Sequence, residues 1–157
     1  MKRPIGVAYF MKVEEVFNSV GHAKGQWVYH IEWCPKYRYR LFGKESHKQD
    51  MESILKRISI EYGMKLLELA VMPDHVHTVV EVPPSMSLGR AANLLKGRSA
   101  YEFFKKHPNA RLRYPKGHFW SRGKFYRTTG DIDLEKTRWY VRHQIDMHQK
   151  TLSEYAT

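Results

Sequence analysis

The chain holds a single cysteine, Cys34, among 157 residues. That excludes an internal disulfide framework and any zinc ribbon built from paired cysteines. It fits a reducing compartment, and the expected location is cytoplasmic. Long apolar runs are missing too. No stretch approaches the ~18 residues of a membrane span, and the N-terminus lacks the apolar core of a signal peptide. No membrane partner is therefore expected. Repeats and low-complexity tracts are absent. Acidic residues are in short supply, with 16 Asp+Glu against 27 Lys+Arg, a formal net charge of +11. An excess of that size draws polyanions by releasing their counterions. The length suits one domain able to bury a core without cross-links.

What is present is patterned. Basic and aromatic residues interleave in Lys36-Tyr37-Arg38-Tyr39-Arg40 and again in Arg122-Gly123-Lys124-Phe125-Tyr126-Arg127. Cations for phosphates beside rings for unpaired bases are the means by which single strands are gripped. Lys36, Arg38, Lys96, Arg98, Arg122 and Lys124 are the candidate nucleic-acid contacts. Residues 1–25 read as an N-terminal extension with a possible short helix, and 26–157 as one catalytic domain. From Trp27 to Cys34 the chain alternates, with Trp27, Tyr29, Ile31 and Trp33 on one side and Val28, His30, Glu32 and Cys34 on the other. That is a strand. Met51, Ile54, Leu55, Ile58 and Tyr62 have helical spacing, and Gly63 suits the stop.

Strands are expected over Lys65–Met72 and His75–Val82, joined by a turn at Pro73-Asp74. Ser87 suits the N-cap of a helix running toward Phe103, with Pro108 as its outer limit. A short strand is expected around Gly117–Tyr126, then a final helix capped by Asp131 or Asp133. The order strand, helix, strand, strand, helix, strand, helix predicts an α+β fold. It is the ferredoxin-like, split βαβ plan, an antiparallel sheet with helices mainly on one face, followed by a C-terminal helix.

The chemistry lies in His75-Val76-His77 and in Tyr140 with Gln144. Strand side chains alternate, so His75 and His77 share a face and their tips can converge on one metal ion. Val76, Val80 and Val82 face the other way, under the helices. Tyr140 and Gln144, four positions apart, share a face if helical. Two imidazoles, an amide oxygen and a phenol suit an enzyme that attacks phosphodiesters with tyrosine. His143, beside Gln144, is chemically a better ligand than an amide and remains an alternative. A phenol has a pKa near ~10 and is a poor nucleophile unaided. A divalent ion on the scissile phosphate would offset that by neutralising charge and orienting the group. The tyrosyl ester would retain the bond energy, so that a second hydroxyl could rejoin strands without ATP. Imidazole ligands favour Mn²⁺ while leaving Mg²⁺ usable.

With these residues in place, the chain resembles the minimal insertion-sequence transposases of bacteria and archaea, the single-tyrosine HUH class. The resemblance runs from about Trp27 to Gln149. It rests on Trp33-Cys34-Pro35-Lys36-Tyr37-Arg38, Val71-Met72-Pro73-Asp74-His75-Val76-His77 and Leu95-Lys96-Gly97-Arg98-Ser99. Phe119-Trp120-Ser121-Arg122-Gly123 and Tyr140-Val141-Arg142-His143-Gln144 complete it. The resemblance implies that His75 and His77 bind Mg²⁺ or Mn²⁺, that Gln144 is the third ligand, and that Tyr140 forms a 5′-phosphotyrosine. It also implies a homodimer, with active sites that can combine the histidines of one subunit with the tyrosine helix of the other. The implied substrate is single-stranded DNA with imperfect hairpins near the element ends.

Other readings explain less. A non-catalytic RNA- or single-strand-binding module accounts for the charge and the rings but not for the histidine pair. A metal-free phosphoesterase with paired His-x-Ser/Thr motifs is excluded, since the chain contains no such triplet. A domesticated HUH nuclease that no longer mobilises an element is compatible with the same residues.

Overall fold

Strand β1, Val28–Trp33, keeps the alternation its sequence prescribes: Ile31 and Trp33 enter one core cluster and Val28 another on the opposite face. The computed structural model describes residues 27–123, 125–128 and 131–146, with side chains for all of these except 125–128 and 131–133. The extension over residues 1–25 and the candidate contact Lys124 lie outside the described residues. Helix α1, Glu45–Glu61, buries Met51, Ile54, Leu55 and Ile58, the stripe expected of an amphipathic helix. It begins earlier than its apolar residues indicate, because residues 45–50 are all polar. It ends at Gly63, whose φ of +73° is the left-handed conformation a glycine takes without strain. Met64 N–H then donates to Ser59 O at 2.8 Å and Gly63 N–H to Ile60 O at 3.2 Å, the paired bonds of a Schellman stop.

Strands β2, Lys65–Met72, and β3, His75–Glu81, are joined by the Pro73-Asp74 turn. Helix α2, Leu88–Lys106, starts at Ser87, whose Oγ accepts from Arg90 N–H at 3.1 Å. A one-turn helix α3, Pro108–Arg111, follows, with proline at a first-turn position where its missing N–H costs nothing. Strand β4 is Phe125–Thr128 and helix α4 is Asp131–Arg142. The strand expected around Gly117–Tyr126 is thus displaced. Residues 119–121 form only an isolated bridge, Pro35 with Trp120, closed by Lys36 N–H donating to Phe119 O and Ser121 N–H to Cys34 O.

The sheet order is β2-β3-β1-β4, with every neighbouring pair antiparallel. This is the split βαβ arrangement. Helices α1 and α2 cover one face, where Phe42, Phe103, Phe119 and Trp120 make edge-to-face and tilted ring contacts. Among the described residues α4 alone lies on the other, where Leu134 and Val141 close over Val28, Leu67, Ala70, Met72 and Val79. A bulge between Leu66 and Glu68 turns Glu68 to the α4 side. There its buried carboxylate accepts from Arg138 Nε at 3.1 Å and Arg142 Nη2 at 2.6 Å. Among the described residues no helix is long and apolar enough to cross a membrane.

Candidate metal and nucleophile site

Strand β3 sends His75, His77 and Val79 toward the α4 face. Its neighbour β1 pairs Glu32 with His77 and His30 with Val79, and cross-strand partners point the same way, so His30 and Glu32 join that patch. Both strands are interior to the sheet, which fixes their backbones from two sides. The Nε2 atoms of His75 and His77 stand 3.1 Å apart. Two nitrogens sharing one divalent ion at ~2.0–2.1 Å and near a right angle would be ~3 Å apart, so the pair has the spacing of a ligand pair.

Each ring is held from behind. His75 Nδ1 is 2.7 Å from Asp74 Oδ1, and His77 Nδ1 is 3.1 Å from His30 Nε2 and 3.7 Å from Glu32 Oε2. Outer partners of this kind fix the tautomer that leaves Nε2 free to ligate. Burial pushes His77 down to about 3, helped by the neighbouring His75 and His30. It is therefore neutral at physiological pH, as a ligand must be. A second donor set exists, since His30, Glu32 and His77 offer ligand atoms within 4.8 Å of one another. It would use the opposite nitrogen of His77 and leave His75 out. The Nε2 pair is preferred because it leaves every ring its supporting partner.

Tyr140, near the end of α4, lies edge-on to this cluster. Its ring centroid is 5.9 Å from His77 and 6.5 Å from His30, and the residue is 44% exposed. A phenol beside the imidazoles of its own chain, and open to solvent, can be reached by a strand. Gln144 follows just past the end of this helix. Helix α4 ends at Arg142, His143 sits in a turn, and helix resumes only at residue 144. Among the described residues half-buried Gln144 hydrogen-bonds neither imidazole. His143 stacks on the exposed Trp139 at 4.3 Å, with Nδ1 2.7 Å from Trp139 O, which commits it to the outer side of the helix.

The basic candidates divide. Arg38 reaches the site, its Nε 3.4 Å from Asp74 Oδ2, and Lys36 lies two residues away on the same turn. Lys96 is a structural tie, donating to Ser121 O at 2.7 Å, and Arg98 pairs with Glu102 at 3.8 Å on its own helix. Arg122 is exposed. His30 and Glu32 are the site residues that the sequence reading passed over. Their shared face with each other was visible in the alternation of β1, but only the β1–β3 register brings them to His77.

Comparisons with known proteins agree with this architecture. The model of the family described as "Transposase IS200 like" matches residues 23–144. The transposase for insertion sequence element IS200 of Salmonella typhimurium is 30% identical over 129 residues, covering 82% of this chain and 84% of that protein. A crystal structure of a candidate transposase from Deinococcus radiodurans superposes with a TM-score of 0.61 at 25% identity, covering 92% of this chain and 98% of that one. The REP-associated tyrosine transposase bound to a REP hairpin shares the fold, with a TM-score of 0.57 at 12% identity over 80% of this chain and 69% of that one. The interior-strand histidines and the helix-borne tyrosine thus sit within a matched span of 122 residues, and the chain belongs to the IS200-like transposase family.

Proposed function

We propose that this transposase cuts and rejoins single-stranded DNA at insertion-sequence ends through a covalent 5′-phosphotyrosine on Tyr140. The observation that carries the reading is the approach of the Tyr140 ring to the convergent His75–His77 pair. His75 and His77 would hold Mg²⁺ or Mn²⁺ through Nε2, with Gln144 as a further ligand. A bound divalent ion supplies charge neutralisation and orientation of the scissile phosphate. The rest is the work of the chain. Asp74 and His30 keep the two imidazoles in the ligating tautomer, and Arg38 places a positive charge beside them. Tyr140 Oη attacks phosphorus, the bond from phosphorus to the 3′ oxygen breaks, and that oxygen leaves as a 3′-hydroxyl after taking up a proton. Attack by a different 3′-hydroxyl restores a phosphodiester and releases the phenol.

The substrate in this reading is single-stranded DNA with hairpins near the element ends, in keeping with the hairpin carried by the REP-associated relative. The working form is a homodimer in which α4 can serve its own or the neighbouring subunit. The test is direct. The purified chain with Mn²⁺ should nick an oligonucleotide from its element end and form a denaturation-resistant adduct. Persistence of that adduct in Tyr140→Phe would remove Tyr140 from the role.

A further inference from the structure

The turn after β1 holds an arrangement that the cleavage chemistry does not use. Tyr37 and Arg38 are consecutive residues with φ of 66° and 50°, a backbone region that residues bearing a Cβ seldom adopt, let alone twice in succession. The result of that conformation is positional. Tyr37 is thrust outward and is 58% exposed, yet its ring stays on an aromatic base. Tyr39 lies 5.3 Å away, and the fully buried Tyr114 lies at 6.4 Å and nearly parallel, with 19° between planes. Tyr39 is in turn clamped by Arg113, whose guanidinium carbon stands 4.1 Å above its ring. Lys36 Nζ lies 5.4 Å from the Tyr37 ring. An exposed ring with a rigid aromatic support and cations around it has the composition of a base-stacking site.

Its place in the molecule gives it an occupant. The residue after Tyr37 is Arg38, which hydrogen-bonds Asp74, and Asp74 bonds His75 Nδ1. Arg38 thus ties the turn that carries the ring to the end of β3 where the histidine pair begins, while the ring itself rests on Tyr39 and Tyr114 of the cluster beneath α1 and α2. We propose that Tyr37, supported by Tyr39, Tyr114 and Arg113, is a stacking platform for an unpaired base next to the scissile phosphate. The inference rests on the reading of the site as a single-strand nuclease and names where that strand is gripped. Stacking on an open ring does not discriminate strongly among bases, so the platform holds the strand in place while other contacts choose the sequence.

The test uses the full-length chain carrying Tyr140→Phe, so that binding is read without cleavage. Single-stranded oligonucleotides spanning the element end carry 2-aminopurine at successive positions around the cut bond. Quenching should appear at one or two positions adjacent to that bond. It should vanish in Tyr37→Ala and persist in Tyr37→Trp, with affinity for the unpaired strand falling about 5- to 100-fold in Tyr37→Ala. Thermal unfolding and binding of an isolated hairpin should stay unchanged in that variant, which separates loss of stacking from loss of fold. Quenching that survives Tyr37→Ala, or a loss spread evenly over all positions, overturns the platform. The two readings fail separately: an adduct in the wild-type chain without local quenching removes the platform alone, and local quenching without an adduct removes the nuclease alone.

Discussion

Replacing Glu68 tests what keeps the tyrosine helix on the sheet. Glu68 is 1% exposed, and its Oε1 serves both Arg138 and Arg142, one helical turn apart on α4 with Tyr140 between them. The Arg138 side chain is 7% exposed, that of Arg142 54%. In Glu68→Ala the Arg138 guanidinium remains buried with its carboxylate gone, a defect that costs about 3–5 kcal/mol. The half-exposed Arg142 adds less than ~1 kcal/mol, since solvent screens it. Set against a typical stability of roughly 5–15 kcal/mol, this is a large fraction. With a urea m-value near ~2 kcal/mol/M, the midpoint should fall by about 1.5–2.5 M. Adduct formation should fall with it even at low urea, because the lost contacts flank Tyr140, the proposed nucleophile. The double replacement Glu68→Leu with Arg138→Leu should recover most of the stability, since an apolar pair of similar size needs no charge compensation. A Glu68→Ala midpoint within ~0.5 M of wild type would refute the reasoning, showing that water or another group already satisfies Arg138.

Three further outcomes are expected. His30→Ala should weaken Mn²⁺ binding about 10- to 100-fold in calorimetry while His75 and His77 stay intact, because it removes the group behind His77 Nδ1; unchanged affinity would show that the ring needs no such support. Chelation should stop adduct formation, and added Mn²⁺ or Mg²⁺ should restore it; an adduct formed at full rate in excess chelator would end the metal-dependent reading. The Lys106 hydrogen bond, with help from His107, holds the Asp50 carboxyl below the ordinary range. The folded state thus favours the ionised form, so this contribution is fully present above the ordinary carboxylate pKa and is lost as pH falls through the lowered one. Asp50→Asn should flatten that acid limb of a stability-versus-pH curve, and an identical limb in the variant would assign it to other carboxylates.

Much of the scaffold was legible because local chemistry and tertiary packing agree. The alternation of Tyr29, Ile31 and Trp33 against Val28, His30 and Glu32 survives intact, as do the bounds of β2, the Pro73-Asp74 turn, the Ser87 cap and the Gly63 stop. What escaped depends on partners far along the chain. No periodicity reveals that Glu68 is a buried acid, because its arginines lie 70 and 74 positions away and a bulge reverses its side. The proximity of His30 to His77 spans 47 positions and needs the strand register. The start of α1 at Glu45 was hidden because residues 45–50 include no apolar side chain to set the helical period. The single turn residue at His143, just past the end of α4, has no glycine or proline to announce it.

The unequal coverage of the sheet has a mechanical outcome. The imidazoles sit on its two inner strands, whereas among the described residues the phenol rides on the single helix of that face, anchored by Leu134, Val141 and the Glu68 clamp. Amide protons of α4 should therefore exchange with solvent well before those of β1 and β3. On the proposed chemistry, a severed strand end esterified to that helix could swing away as cargo and return while the cradle that cut it keeps its shape.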